Sequence, residues 1–254
     1  MGKSAFIFTI AILSISSAIG QSNADLLKKG LDLRSAGKCK DALAIFQPLL
    51  QKDSNNVAYL QYTANLIAKV WHDKEVDESE CTPYYIKAIY LAKKAIKIDS
   101  TSAEAHYAYA FAVGVLNEYA SHKQQIANGK LMKDEIDKCL KLNPNHAGAY
   151  HLLGRWSRRM AEFNGFEKLM VKTLYGASLP EATYKDAADA FQKAIVYEPE
   201  YLVHQYELAY TYHEMDKDVD AQVWLQHAIN DVSYKGDDAD NVKDKCRKLL
   251  AKIR

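Results

Sequence analysis

The sequence is short of the residues that break helices, with 11 glycines and 5 prolines in 254 positions. That scarcity, beside abundant Ala, Leu, Lys and Tyr, favours helices over strands. An excess of one charge is also missing. Lys and Arg together number 33 and Asp and Glu 32, which leaves no global field of the kind that draws a protein to nucleic acid, and none is expected as a partner. The 4 cysteines, Cys39, Cys81, Cys139 and Cys246, fit no zinc-site spacing. A Gly-rich phosphate loop, a G-x-S-x-G turn and a paired-carboxylate motif are all lacking. The 8 histidines are scattered, with no pair at helical ligand spacing beside a third ligand. Nothing therefore points to an enzyme, and no cofactor is expected. What the chain does have is a hydrophobic fraction of 48%, enough for a real core and against wholesale disorder.

Residues 1–20, "MGKSAFIFTIAILSISSAIG", read as a secretory signal. Lys3 gives the positive start, Ala5 to Leu13 an apolar core too short to span a bilayer comfortably, and Ala18 and Gly20 the small residues at a cleavage site. The alternative is an uncleaved anchor over residues 5–19. With Lys3 removed, the mature chain balances at 32 basic and 32 acidic side chains. The expectation is an exported protein, in a periplasm, an extracellular space or a secretory lumen.

The rest is organised by repetition. Five stretches, "GKCKDALAIFQPLLQKDSNN", "YYIKAIYLAKKAIKIDSTS", "KLMKDEIDKCLKLNPNHA", "YKDAADAFQKAIVYEPEY" and "DKDVDAQVWLQHAINDVS", place small or apolar residues four and three positions apart. The triples are Ala42, Phe46 and Leu49; Ala88, Ala92 and Ala95; Met132, Ile136 and Cys139; Ala187, Phe191 and Ala194; Ala221, Leu225 and Ala228. Upstream lie "LLKKGLDL", "YHLLGRWS" and "YELAYTY". This pattern resembles the tetratricopeptide repeat, a helix pair read as W-x2-L-G-x2-Y, A-x3-F and P. Small residues stand where paired helices approach closely, and a large apolar one fills the hole opposite. The expected fold is all-α: a right-handed superhelix, or α-solenoid, of about five helix pairs, because one pair alone cannot bury its faces. The copies fall near 23–56, 57–102, 103–146, 147–201 and 202–235, within a repeat domain over 21–235. Residues 236–254 are expected to form a capping helix.

The middle copies are stretched, with extra residues between their two helices. In copy two the addition is "WHDKEVDESECTP", after which Thr82 and Pro83 are expected to restart a helix as N-cap and first residue. In copy four it carries Phe163, Phe166, Leu169, Met170 and Leu174, closed by Gly176 and Pro180. It reads as an extra amphipathic helix on the stack, or as a longer first helix kinked near Gly165.

Three phrases, covering residues 117–144, 151–199 and 220–229, are similar to the regulator of microtubule dynamics protein family. The shared features are an L-G-x-W first helix, an aromatic-bearing insert, a small-Pro stop and a Thr-Tyr helix start. The resemblance covers about residues 57–252. It implies a helical repeat scaffold with no catalytic centre, in a family associated with microtubules and organelle membranes. An exported protein would not meet cytosolic microtubules, so the two expectations conflict.

The repeat resemblance further implies that first helices line a concave groove. Copy four would supply His151, Arg155, Arg158 and Arg159, of which 151, 155 and 159 share a helix face. Copy one would add Arg34; copy two Gln61, Asn65 and Lys69; copy three Tyr107 and Phe111; copy five Tyr206, Tyr210, His213 and Glu214. Three readings of the arginines stand open. They pair with acids such as Glu104, Glu118 and Glu162 and only solvate the face. They capture a protein or peptide segment, acidic or ending in a carboxylate, with Tyr206 and Tyr210 as walls. Or they hold the head group of an anionic lipid, with Phe163, Phe166 and Leu169 near its chains. Cys139 sits at a small buried position and reads as a free thiol. Cys39 and Cys81, at one edge of adjacent copies, are expected to pair as a disulfide.

Overall fold

The computed structural model describes residues 22–253 except 75, 164 and 176–181. The proposed signal or anchor lies outside these residues, as do Gly176 and Pro180. Among the described residues the chain forms twelve helices and no strand. They are α1 (Asn23–Ser35), α2 (Cys39–Lys52), α3 (Val57–His72), α4 (Glu78–Ile98), α5 (Ala103–Asn117), α6 (His122–Leu142), α7 (Ala147–Glu162), α8 (Gly165–Tyr175), α9 (Tyr184–Tyr197), α10 (Leu202–His213), α11 (Asp218–Asn230) and α12 (Ala239–Lys252). None is long and apolar enough to cross a membrane.

Five pairs, α1–α2, α3–α4, α5–α6, α7–α9 and α10–α11, pack internally and against their neighbours as a tetratricopeptide superhelix, and α12 covers α11 and α10. The close approach demanded by the pattern is visible inside the pairs. A methyl group added at Gly30 would sit 2.7 Å from the ring of Phe46, and at Gly154 2.7 Å from that of Phe191. Ala42, Ala88, Ala187 and Ala221 are fully buried. Local signals set the starts: Ser22, Asn56, Ser102 and Thr183 each accept a first-turn amide on a side-chain oxygen, and His146 does so through Nδ1 at 3.1 Å, filling donors that a helix leaves open. The two regular copies turn between their helices through a left-handed residue, Gly37 at φ 73° and Asp216 at φ 58°.

The extra residues are handled in two ways. Those of copies two and three wind onto existing helices, so α4 and α6 each run to 21 residues. Thr82 and Pro83 thus do not start a helix. It begins at Glu78, and Pro83 lies inside it as its sixth residue, beyond the first turn, so that the Ser79 carbonyl gives up its helical partner. In copy four the addition is a separate helix. Phe163 adopts extended backbone, φ −62° and ψ 132°, and α8 follows, resting on α6. Phe163 is buried with Ile126, against Met160 and Met170, whereas Phe166 and Leu169 are exposed.

Cys39 and Cys81 do not pair; all four cysteines are buried free thiols. Cys39 lies near Lys69, Asp73, Asp237 and Asp238, and burial pushes it up to about 11. Cys81 is directed back into its own helix, with Sγ 3.5 Å from the Glu78 carbonyl. The two thiols thus have different neighbours. Cys139 is fully buried, and burial raises its thiol to about 12.

Candidate functional site

Several of the side chains expected to line the concave face answer other polar groups of the protein. Arg34 meets Glu104 at 2.7 Å, and Glu104 lies 3.4 Å from His146 Nε2. Burial works against the Glu104 charge, but Arg34 and His146 outweigh it and hold the carboxyl below its ordinary value. Gln61 accepts the Ser102 hydroxyl at 2.6 Å. Gln61, Asn65 and Phe111 are each buried. Tyr107 packs on Phe111 and His146, and burial pushes its hydroxyl well up.

Further along, the chain closes on itself. The loop between α11 and α12 reaches back to copies one and two. The Asp237 amide donates to the Gly37 carbonyl at 2.9 Å, and Lys69 sits between Asp73 at 2.8 Å and Asp238 at 2.7 Å. Tyr234 is buried and donates to Asp238 at 2.6 Å, and its ring packs edge-on against Tyr201. Burial opposes the Lys69 charge, but Tyr201, Asp73 and Asp238 outweigh it and raise the ammonium well above its ordinary value. The protein's own loop thus engages Lys69, one of the side chains expected to line the groove.

The copy-four arginines divide. Arg158 is held at 2.6 Å by Glu207 of α10 and lies over the Tyr210 ring at 4.7 Å. Arg155 meets Glu118 at 2.9 Å and approaches Glu207 at 3.9 Å. Arg159 meets Glu162 at 3.4 Å, rests over Phe163 and keeps about half of its side chain, 47%, in solvent. Burial raises Glu207, but Arg158 and Arg155 more than reverse this and hold it ionised. His151 contacts His204, Nδ1 to Nδ1 at 3.0 Å. Burial, then His204 and the cations Arg155, Arg158 and Lys69, push His151 well below its ordinary value. Tyr206 and Tyr210 lie side by side with ring centres 6.4 Å apart. His213 stands apart, bonded to Asp218 at 2.7 Å across the α10–α11 turn.

Sequence reasoning missed Glu207 and the cavity beside it. Where α3 and α5 pack closely, α5 and α7 barely meet. The opening holds a cavity of about 320 Å³ between α5, α6 and α7. Gly114, Met132, Trp156, Met160 and Phe163 form its apolar wall, and Arg155, Arg159, Glu118 and Glu162 stand at its mouth. Trp156 is fixed there by donating to the Gly129 carbonyl at 2.9 Å. The signal available in the sequence was the run of inserted residues that begins at Phe163, which packs on Ile126 of α6 and Met160 of α7.

Comparison with known proteins agrees with this architecture. The family model described as regulator of microtubule dynamics protein 1-3 matches residues 24–254. Regulator of microtubule dynamics protein 1 of Bos taurus is 30% identical over 186 residues, 72% of this chain and 58% of the bovine protein. Protein 3 of Rattus norvegicus is 28% identical over 240 residues, 92% of this chain and 50% of the rat protein. The chain therefore spans little more than half the length of these relatives. A thermophilic TPR protein of Thermus thermophilus superposes with a TM-score of 0.61 at 15% identity, over 91% of this chain and 98% of that one, which shows the fold. The chain belongs to the regulator of microtubule dynamics family. That membership overturns the expectation of export: the relatives are named for microtubules, and an exported protein would not share a compartment with them.

Proposed function

We propose that this family member is a non-enzymatic scaffold that binds a segment of a partner protein at the cavity between copies three and four. The segment places an apolar side chain between Met132, Trp156 and Phe163, and its carboxylate reaches Arg155 and Arg159 at the mouth. The cavity carries this reading. It is an apolar recess with a few convergent polar groups, the usual form of a recognition pocket, and it lies where the repeat packing is interrupted by inserted sequence. Arg158 has a different part, because Glu207 and Tyr210 already hold it. The mouth is balanced by Glu118 and Glu162 rather than purely basic, so the guanidinium groups supply orientation and the recess supplies affinity. The names of the relatives make microtubules, or proteins that travel with them, the first partners to test.

A second reading uses the same recess for the chain of an anionic amphipathic ligand, favoured by the exposed Phe166 and Leu169 of nearby α8. One experiment separates the two. A photo-crosslinking residue is placed at Met160 in the full chain, irradiated in cells, and the adducts are analysed by mass spectrometry. A peptide adduct that disappears in Arg155→Glu/Arg159→Glu, with helicity retained, is the expected result. A lipid adduct alone supports the second reading. No adduct above that of a control crosslinker at exposed Lys28 overturns both.

A further inference from the structure

We infer that the outer face of α4 is a second recognition surface, built for an acidic, extended protein segment that carries a large apolar side chain. This surface is remote in kind from the cavity and independent of it: it is formed by a second helix of a pair, on the side that no other described element covers.

The helix α4 packs against α3 and α5 and against no other described element. Its free side is not the ordinary solvated face. Ile86, Tyr90 and Ile98 are exposed at 56%, 64% and 48%, and Lys87, Lys93, Lys94 and Lys97 stand among them. Positions 86, 90, 93 and 97 recur at helical spacing, as do 87, 94 and 98, so two neighbouring rows mix cations with apolar groups. Between residues 81 and 98 the sequence holds no acidic side chain. Some lysines elsewhere in the protein are answered by a carboxylate: Lys28 by Asp32 at 2.6 Å, Lys133 by Asp137 at 2.7 Å, Lys138 by Glu135 at 2.8 Å and Lys185 by Asp189 at 2.6 Å. Among the described residues, none of the four α4 lysines makes an ion pair. Lys94 instead donates to the Ser54 carbonyl at 2.6 Å, which ties the stripe to the loop before α3. Between that loop and α4 lies an open cleft of about 680 Å³, lined by Asn55, Tyr90, Lys93, Lys94, Lys97 and Ile98.

Uncompensated cations interleaved with exposed aromatic and aliphatic groups favour an anion with apolar character. The stripe runs about 18 Å along the helix, at about 1.5 Å per residue. An extended segment of five or six residues covers that length at about 3.3 Å each, with carboxylates on the lysines and one large side chain on Tyr90 and Ile98. A cleft walled by a loop suits a single strand of chain, whereas three isolated apolar side chains give little to a flat membrane.

The test uses the full chain and a fluorescein-labelled peptide of glutamates with one central phenylalanine, read by anisotropy at low and physiological salt. Binding is expected, weakening as salt screens it. K87E/K93E/K97E should weaken it about tenfold or more, as removal of steering and contact charges does, while K28E/K185E/K248E, equal in net charge, leaves it unchanged. Tyr90→Ala should weaken the phenylalanine peptide and not an all-glutamate one. If the charge-reversed stripe fails to fold, K87Q/K93Q/K97Q is read in its place. Absence of peptide binding, an equal loss in the matched control, or stripe-dependent binding of phosphatidylserine vesicles without binding of the peptide overturns the inference.

Discussion

Asp237 caps α2 from 197 positions away along the chain, its carboxylate accepting the Lys40 amide at 3.0 Å. The local N-cap residue, Lys38, makes no side-chain cap bond. A loop near the end of the described chain thus does what a serine or asparagine would do beside the helix, and the two ends of the superhelix are tied together by a helix terminus.

Asp237→Ala should therefore lower stability by about 1 kcal/mol, the ordinary worth of a cap. Amide exchange over residues 39–42 should accelerate at the same time. Lys38→Ser in that background should restore stability by supplying the cap locally, but not the contact between the chain ends. Urea unfolding with hydrogen exchange read by mass spectrometry checks both. Unchanged exchange at α2 would show that the cap contributes nothing.

Lys69 is the other half of that closure. Its ammonium is flanked by Asp73 and Asp238 with little access to water. Lys69→Met leaves the buried Asp238 and the half-buried Asp73 without their cation and should cost about 3 kcal/mol, the lower end of what breaking a buried pair from one side does. The midpoint of denaturant unfolding measures it. Asp238→Asn should cost less, because Asp73 remains.

Acid should unfold the protein in two stages. His151 is held neutral, its folded value well below the ordinary one, so as pH falls through about 6.5 the unfolded chain gains a proton that the fold refuses, and stability drops. Glu104, Glu198, Glu207 and Asp238 are held below their ordinary values. Their contribution is complete above the unfolded carboxylate range and is lost as pH falls below about 4. Urea midpoints from pH 8 to pH 3 should show both declines. His151→Gln should shrink the upper one and leave the lower.

Gly154→Val should destabilise by about 1–3 kcal/mol, the usual cost of overpacking, because its Cβ would lie 2.7 Å from Phe191. Phe191→Leu in the same background should recover part of the loss. Thermal melting of the four proteins forms the cycle. Additive losses would mean that the two side chains do not share one space.

The repeats were legible because their physics is local and periodic. A small residue facing a large one at fixed spacing, as at Gly30 with Phe46, leaves a mark that recurs in each copy. The inserts were legible as places, and in copy four an extra helix was one of the two shapes offered, whereas in copy two the helix start was misplaced at Thr82. Whether added residues lengthen a helix, as before Pro83, or break away, as after Phe163, depends on what they find to pack against, and that partner is another copy. The copy-four arginines were visible, as were Glu118 and Glu162 as acids near them. Glu207 was not, since it sits among tyrosines on a different helix with no pattern marking it. The cysteine pair failed for a related reason: shared position at an edge says nothing of the direction in which each side chain leaves its backbone.

By itself the sequence determined that the chain is helical, that its helices come in pairs, and which faces those pairs bury, because propensity and 3.6-residue periodicity act over a few turns. Only the tertiary structure decided that the loop of residues 234–238 engages Lys69, that α5 and α7 stand apart over an apolar recess, and that the α4 lysines make no ion pair among the described residues. Those outcomes depend on which distant groups meet once the superhelix curves, and the curvature is the sum of small rotations between copies that no single copy encodes.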